Sequence, residues 1–482
     1  MWLYQLSRSL NKPGIRLGLF GILSGLLMMQ ADAAQYSVEQ LHYAEKIRES
    51  SALENKAYTL LESLTTEVGP RMAGSAGDAK AVAWAQAKFR QLGFDKVWTE
   101  PVSYPVWQRG PASLKMTAPF QHDLQLTALG NSGATSEQGL QAELITFPDL
   151  ASLRNAKPEQ VRGKIVYLNQ RMTSSRDYGQ LSGMRTRGPA LAAQKGALAF
   201  LVRSLGTDSH RFAHTGVTEF DKQHEVIPAA AISNPDADLL DRVIQRGQSV
   251  SLQLNLQATL LEPVTSYNVI AEYTGSQYPE QYVLIGAHLD SWDLGTGALD
   301  DGAGCAITMA AVDSLIRLGQ RPKRSIRVIL YANEEYGLIG GQAYFKAHQN
   351  ELARIQAVAE ADAGQGPVLS LSGMVSDEAK PLVQQMQGVL AALGVKPGTD
   401  AAHPGPDMGV LRNAGVASFA LRLQAEDYFN FHHTADDTFD KVDPKRITQA
   451  SATYAVFAWL AADAPVDFGS MSKALKQRVK PQ

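Results

Sequence analysis

The sequence predicts an α/β fold, in which a mostly parallel mixed sheet is flanked by helices and interrupted by a β-rich insertion. Three short apolar runs, residues 283–286, 326–331 and 357–361, are separated by stretches with helical periodicity. Apolar strands that alternate with helices are typical of a parallel sheet covered on both faces. Between residues 112 and 261, short strands and turns instead follow one another with little helix, which indicates a second, β-rich unit.

Length and composition are those of an ordinary globular protein with more than one core. A chain of 482 residues is too long for a single compact core, so two domains are expected. Hydrophobic residues make up 45% of the chain, charged residues make up 19%, and the formal net charge is −3. This balance provides no basic surface for nucleic acid, so we expect no nucleic-acid partner.

The first 34 residues have the pattern of a secretory signal peptide. Arg8, Lys12 and Arg16 precede an apolar run over residues 17–29, and small residues follow at 31–34. A basic region, an apolar region and a small-residue cleavage site in this order direct export. The alternative is a retained anchor, but the apolar run is short for a membrane span and contains several glycines. We therefore expect an exported protein, periplasmic or secreted, with no membrane contact after cleavage.

Residues 35–111 are predicted to be the first part of the main domain. A helical pattern covers Val38 to Leu64, and a glycine-rich loop follows it. An alanine-rich helix is expected from about Asp78 to Leu92, because Gly93 is a typical residue to end it. Residues 97–102 have the composition of a strand.

Residues 112–261 are predicted to be the inserted domain. Residues 163–168 and 197–202 are apolar strands, and residues 251–260 alternate between apolar and polar as a half-buried strand does. We expect one helix-like interruption, over residues 188–195.

Residues 262–465 are predicted to complete the main domain, and residues 466–482 to be a polar, basic tail. The clearest helix runs from Ala303 to Leu318 and contains Cys305. Because Cys305 is the only cysteine, no intrachain disulfide can form, and we expect a small buried core residue there. Further helices are predicted over residues 337–347, 379–393 and 444–462, with a strand over residues 418–423.

Chemistry-bearing side chains follow one predicted strand after another. In α/β sheets, sites form where the carboxyl ends of the strands meet. One such residue alone is usually a cap or a turn residue, but together they converge on one edge of the sheet and predict a metal site. In chain order these residues are His288, Asp290, Asp300, Asp301, Asn333, Glu334, Glu335, Asp362, Asp427, His432, His433, Asp436 and Asp437.

The residue types favour zinc, or a similar divalent ion, over calcium or magnesium. Histidines mixed with carboxylates are the ligands that zinc prefers. A pair of ions, which lie about 3.5–4 Å apart in such sites, needs a bridging carboxylate. In the adjacent acid pairs at 300–301 and 334–335 the two side chains diverge, so one is free to ligate while the other does a different task. His288 and Asp290 face the same way on an extended segment, so Asp290 can orient the imidazole.

These motifs together resemble the M28 family of co-catalytic zinc exopeptidases, over roughly residues 40–465. The loop at 69–75, the pairs at 406–407 and 415–416, and the stretch 163–200 resemble further family features. The last of these is similar to a protease-associated domain that some members carry as an insertion. The principal matches are His288-x-Asp290, the Gly297–Gly304 stretch around Asp300-Asp301, Asn333-Glu334-Glu335, Asp362 and His433-Thr-x-x-Asp437.

The resemblance implies two Zn²⁺ ions per chain and a ligand set that matches residue by residue. Asp300 would bridge the ions, His288 and Asp362 would bind one of them, and Glu335 and His433 the other.

The resemblance also implies the catalytic roles. Glu334 would be the general base that takes a proton from the water shared by the two ions, with Asp290 as its supporting residue. A cis peptide bond would join Asp300 and Asp301. Tyr428 is a candidate donor to the oxyanion.

The choice between His432 and His433 stays open in the residue pattern itself. His433 stands directly before Thr434 and so matches the family motif, which leaves His432 to contact substrate or to pack. Asp437 is a candidate for orienting the ligand. The remaining histidines, including His210 and His214, are expected to be surface or core residues.

The function predicted from these features is that of an exported di-zinc exopeptidase acting on dipeptides or short peptides, as a homodimer. An aminopeptidase of longer peptides is the first alternative. A non-catalytic binding relative and a single-zinc enzyme resembling glutaminyl cyclase are the others, but both are disfavoured because all five matching ligands and the base are present.

Overall fold

The main sheet of the computed structural model has eight strands, with parallel strands at its centre. The order is β1-β10-β12-β11-β13-β16-β14-β15. β11 is parallel to both β12 and β13, β13 is parallel to β16, and antiparallel pairs lie outside this centre. The predicted mostly parallel mixed sheet is therefore confirmed. The strands of the main sheet are β1 (Lys96–Gln108), β10 (Thr259–Tyr273), β11 (Tyr278–His288), β12 (Arg324–Tyr331), β13 (Ile355–Glu360), β14 (Val368–Met374), β15 (Lys396–Pro397) and β16 (Ser418–Leu423).

A second sheet takes all eight of its strands from residues 112–256. Its order is β3-β2-β9-β5-β6-β7-β8-β4. The domain boundaries stay predictions, and the one at 261/262 falls inside β10. The strands of the second sheet are β2 (Ala112–Ala118), β3 (His122–Leu124), β4 (Leu126–Ala128), β5 (Leu140–Phe147), β6 (Ile165–Leu168), β7 (Ala199–Arg203), β8 (Ala229–Ile232) and β9 (Ser251–Leu256).

Helices flank both sheets. α8 has the predicted bounds and ends where Gly319 adopts a left-handed conformation at φ 80°, and Cys305 is buried within it as expected. α12 packs against α8 and is buried over most of its length. The helices are α1 (Val38–Leu53), α2 (Ala57–Ser63), α3 (Ala76–Gln91), α4 (Leu150–Asn155), α5 (Pro158–Val161), α6 (Tyr178–Gln194), α7 (Asn234–Gln245), α8 (Ala303–Leu318), α9 (Ile339–His348), α10 (Lys380–Leu390), α11 (Gly409–Asn413) and α12 (Pro444–Ala462).

The prediction of little helix between residues 112 and 261 was wrong. α6 begins ten residues before the predicted stretch, because packing against the second sheet overrides the low helix propensity of its glycines and of Pro189. α7 was missed although its start signal is present. Ser233 caps it by accepting a hydrogen bond from the backbone N–H of Asp236, and a proline follows in the first turn.

The structure describes residues 34–221, 225–399, 401–473 and 476. The predicted signal peptide lies almost wholly outside this range, and the predicted tail lies partly outside it. Among the helices in the described ranges, none combines the length and the apolar character needed to cross a bilayer.

Candidate metal centre

The centre begins at the carboxyl end of β11, where the strand gives way to the turn that leads into α8. His288 is the last residue of β11, and its backbone N–H donates to Asp301 Oδ2 at 3.1 Å. The Cys305 thiol, in the first turn of α8, donates to the carbonyl of His288 at 3.0 Å. The Asp300–Asp301 peptide bond is cis, as the resemblance implied. Strand end and helix start are thus joined directly across the turn that carries the two aspartates.

Asp300 lies between two histidine-and-acid pairs. Its Oδ1 is 3.2 Å from His288 Nε2, and that same nitrogen is 3.9 Å from Asp362 Oδ1. Its Oδ2 is 3.1 Å from His433 Nε2, which is also 3.1 Å from Glu335 Oε2. The structure therefore brings together all five predicted ligands, with one oxygen of Asp300 facing each pair.

Buried negative charge at this site calls for cations. Burial raises the pKa of Glu334 well above its usual value, and the neighbouring Glu335 and Asp362 raise it further. Burial likewise raises the pKa of Asp362 to about 7. Within the described part of the chain, Glu335 Oε1 is buried and accepts no hydrogen bond. Carboxylates crowded in this way are stable when they coordinate metal ions, and the mixed nitrogen and oxygen donors fit zinc.

The histidines respond to the same acids in the opposite sense. Burial alone would lower the pKa of His433, but Glu335 and Asp300 outweigh that effect and raise it to about 10. Burial would also lower the pKa of His288, yet the nearby carboxylates of Asp290 and Asp300 raise it well above the usual value. The acids thus provide a strong attraction for positive charge at both imidazoles.

Asp290 supports the site through both its backbone and its side chain. His288 Nδ1 donates to the carbonyl of Asp290 at 3.0 Å, so Nε2 is the nitrogen that faces the acids. The carboxylate of Asp290 is farther from that ring, at 3.7 Å from Nδ1. It instead accepts the backbone N–H groups of Glu334 at 3.0 Å and Glu335 at 3.4 Å. Asp290, which follows β11, therefore holds the segment that follows β12.

The two neighbouring histidines differ in their contacts. His433 Nδ1 lies 3.1 Å from the carbonyl of Thr215, so this nitrogen donates there and Nε2 faces Asp300 and Glu335. His432 Nε2 is farther from Asp300 Oδ2, at 3.6 Å, and its ring stacks on that of His433 with centroids 3.5 Å apart. The geometry favours His433 as the ligand, and the assignment stays a prediction.

Asp437 holds the turn of Asp300. Its carboxylate accepts the backbone N–H of Leu299 at 2.6 Å and that of Asp300 at 3.1 Å. It therefore holds the backbone from which the Asp300 side chain extends. The sequence suggested only that Asp437 orients a ligand.

A cavity of about 370 Å³ opens over these side chains. His288, Asp300 and Glu334 line it, and so do Tyr178 and Arg185 from α6. Residues that follow the strands of the main sheet and residues of a helix beside the second sheet therefore line the same cavity.

Comparison with known proteins gives the family. The model of peptidase family M28 matches residues 268–458. Human carboxypeptidase Q is 35% identical over 410 residues, which is 85% of this chain and 86% of that protein. The chain belongs to peptidase family M28. It is therefore a metallo-exopeptidase, as its motifs predicted.

Solved structures have folds similar to that of this M28 peptidase. A peptidase M28 precursor from Shewanella amazonensis superposes with a TM-score of 0.87 at 45% identity, covering 89% of this chain and 98% of that one. A zinc aminopeptidase from Bacillus subtilis superposes with a TM-score of 0.59 at 20% identity, covering 86% and 98% of the two chains. At that lower identity the likeness shows the fold alone.

Several residues of the M28 peptidase's centre were missed because only the tertiary structure brings them there. Arg71 donates to the carbonyls of Leu289 at 2.6 Å, Thr296 at 2.7 Å and Gly297 at 2.8 Å, which fixes the loop between β11 and α8. The sequence marks Arg71 only through the Gly69-Pro70-Arg71 loop, which resembles a further family feature and indicates no contact with the centre.

The inserted segment also contributes residues that no spacing in the sequence could indicate. His214 is a buried residue, as expected, but its Nδ1 lies 2.7 Å from the carbonyl of His432 and its Nε2 lies 2.6 Å from Asp208 Oδ2. The backbone N–H of Thr215 donates to the carbonyl of His433 at 3.0 Å. His210, in contrast, is exposed. The segment 214–215 is thus fastened to the histidine pair.

Proposed function

We propose that this chain is an exported exopeptidase that uses two zinc ions to hydrolyse dipeptides or short peptides. The observation that carries the proposal is the position of Asp300, which presents one carboxylate oxygen to His288 and Asp362 and the other to His433 and Glu335. One carboxylate shared between two such pairs is the arrangement that a two-ion centre requires. The name of the similar carboxypeptidase Q supports peptides as the substrate class.

These distances support one set of residues for each ion. His288 and Asp362 would hold one zinc, Glu335 and His433 the other, and Asp300 both. Zinc bound there supplies Lewis acidity, which polarises a carbonyl and lowers the pKa of water toward neutrality.

Glu334 is the residue placed for proton transfer. Its carboxylate lines the cavity beside the acids, and its backbone is held by Asp290. Burial, followed by the nearby acids, raises its pKa above that of a free glutamate, which makes it a stronger base for taking a proton from water and returning it to the leaving amine. Asp290 acts through position, since its carboxylate fixes the backbone of both glutamates.

Export and assembly belong to the same proposal. The basic and apolar pattern of residues 1–34 supports export. We also expect a homodimer, which sedimentation analysis of the mature chain measures directly.

Metal analysis combined with a substrate screen tests the proposal. We expect two zinc ions per chain, and hydrolysis of Ala-Leu that is lost with a chelator and restored with zinc. The screen compares Ala-Leu with its N-acetylated and C-amidated forms. Equal rates on all three forms would contradict an exopeptidase, and one ion per chain would contradict the two-ion centre.

A further inference from the structure

Arg185, on α6 beside the second sheet, is a buried cation whose charge is not balanced by an acid. It is 5% exposed, and among the described residues no carboxylate forms an ion pair with its guanidinium. Burying an unpaired charge is costly, so a buried arginine normally has an anionic partner. Two other buried arginines have their donors satisfied within the protein. Arg203 pairs with Asp238 at 2.8 Å and Asp241 at 2.7 Å, and Arg71 donates from Nε, Nη1 and Nη2 to three carbonyls.

The contacts of Arg185 leave much of its donor capacity unused. Its Nη1 donates to the carbonyl of Thr215 at 3.1 Å, and its Nη2 donates to the hydroxyl of Tyr178 at 3.0 Å. Within the described chain, its Nε has no hydrogen-bond partner. A guanidinium has five N–H donors in a planar fork that matches the two oxygens of a carboxylate. The missing partner is therefore expected to be an anion that comes from outside the protein.

The position of Arg185 indicates which anion this is. It lines the same cavity as Asp300 and Glu334, and it is the one lysine or arginine among the described residues that form that wall. Tyr178 also lines the cavity, and because its oxygen accepts from Arg185, its own O–H remains to be donated. Two donors thus line the same cavity as the acidic side chains.

We propose that Arg185 and Tyr178 bind the free C-terminal carboxylate of the substrate. This inference rests on the proposed peptidase function and narrows its substrates to those with a free C-terminus. These are dipeptides, and peptides from which the C-terminal residue is removed. Arg185 Nη1 is 3.4 Å from His433 Nδ1, so the guanidinium is separated from the acids by about one imidazole ring. A residue spans about 3.5 Å of extended chain, so a carboxylate held beside the predicted histidine ligand belongs to a residue close to the cleaved bond.

The competing role for Arg185 is structural. Its hydrogen bond to Thr215 lies beside the bond that His433 Nδ1 makes to the same carbonyl. An arginine that serves only to hold this carbonyl would affect every substrate alike, whereas a carboxylate-binding arginine affects only substrates that carry the carboxylate. The two roles are therefore separated by a matched pair of substrates.

The test compares Ala-Leu with Ala-Leu amide in the zinc-loaded enzyme. We expect the wild type to prefer the free carboxylate, and Arg185→Gln to reduce the kcat/KM preference on the order of 10- to 100-fold, mainly through KM. Arg185→Lys is expected to restore only part of it, because it keeps the charge but loses the fork. Tyr178→Phe is expected to give a smaller loss in the same direction. Arg187→Gln, an exposed residue on the same helix, is the matched control and should leave the preference unchanged.

Direct binding provides a second readout that does not depend on turnover. Calorimetry with leucine and with leucinamide is expected to show that the wild type favours leucine and that Arg185→Gln does not. An equal loss on both substrates with unchanged leucine binding would overturn the proposal in favour of the structural role. A wild type that cleaves Ala-Leu and its amide equally well would also overturn it, while leaving the peptidase function intact. If the zinc-loaded wild type cleaves no peptide at all, the proposed function itself fails.

Discussion

At the scale of single residues, Glu334 is the side chain on which hydrolysis is expected to depend most. Glu334→Gln preserves the shape of the side chain but cannot accept a proton, so we expect kcat to fall about 10²- to 10⁴-fold while zinc content stays unchanged. Steady-state kinetics on Ala-Leu and metal analysis measure the two quantities. Glu262→Gln, at an exposed position, serves as the control. Full activity in Glu334→Gln would remove this residue from the mechanism.

Asp437 should control metal affinity without touching the metal. Asn at this position would direct an amide N–H₂ toward a backbone N–H, so the Asp300 turn would lose one of its two supports. We expect Asp437→Asn to weaken zinc binding about 10- to 100-fold, as changes behind metal ligands commonly do. Competition with a zinc-chelating dye gives the affinity.

Asp436→Asn is the matched control for that experiment. Asp436 is the neighbouring aspartate, and its ion pair is with Lys441 at 2.9 Å, away from the Asp300 turn. Similar zinc affinities in both variants would show that the Asp437 hydrogen bonds are unimportant.

At the scale of elements, the loop between β11 and α8 depends on Arg71. Arg71→Met would leave three carbonyls without their donor in a buried site, at a cost of about 1–3 kcal/mol for each group. We expect a lower melting temperature in the chelated protein and faster hydrogen exchange across residues 289–297. Arg90→Met, at an exposed site on α3, should have little effect. Unchanged exchange in that loop would contradict the role given to Arg71.

The secondary-structure elements also show how much of the fold and of the site could be predicted from the sequence. The order of strands and helices in the main domain followed from apolar runs, and α8 has the predicted bounds, with Gly319 ending it in the structure. The sequence indicated that Asp290, Asp300 and Glu334 lie together, because each follows a strand whose carboxyl end lies at the same edge of the sheet. Arg71, Arg185 and Thr215 could not be assigned in this way, because their positions depend on how the insert and the first loop pack against that edge.

At the scale of the whole molecule, the buried acids predict how stability depends on pH. The pKa values of Asp362 and Asp437 are raised to about 7 and that of Asp407 to about 8, mainly by burial. These groups keep their protons in the folded protein at pH values where the unfolded chain has already lost them, so their contribution to stability declines as pH rises from about 4 to about 8. His433, with its pKa raised to about 10, contributes in the same direction above about pH 6.5.

Burial also lowers the pKa values of His432 and His403, so their contributions oppose this trend and increase stability as pH rises toward about 6.5. A further opposing effect falls outside that pH window. The pKa of Asp300 is depressed well below its usual value, with the His288 and His433 contacts outweighing burial, so its contribution changes only below about pH 4. We therefore expect the chelated protein to melt at a lower temperature at pH 8 than at pH 5. The zinc-loaded protein should show the reverse trend, because metal ligands must be deprotonated. Melting curves at three pH values with and without zinc measure this. A chelated protein that is more stable at pH 8 would contradict the expectation.

The hydrogen bond from His433 to Thr215 has a consequence for how such enzymes diverge. Under the proposed ligand assignment, the backbone carbonyl that fixes His433 lies in the segment predicted to be an insert, so exchanging that segment for a relative's is expected to disturb the centre. A chimaera would have to reproduce that one carbonyl position, whatever sequence it carries elsewhere. The proposed centre therefore depends on the backbone path of that segment as well as on its side chains.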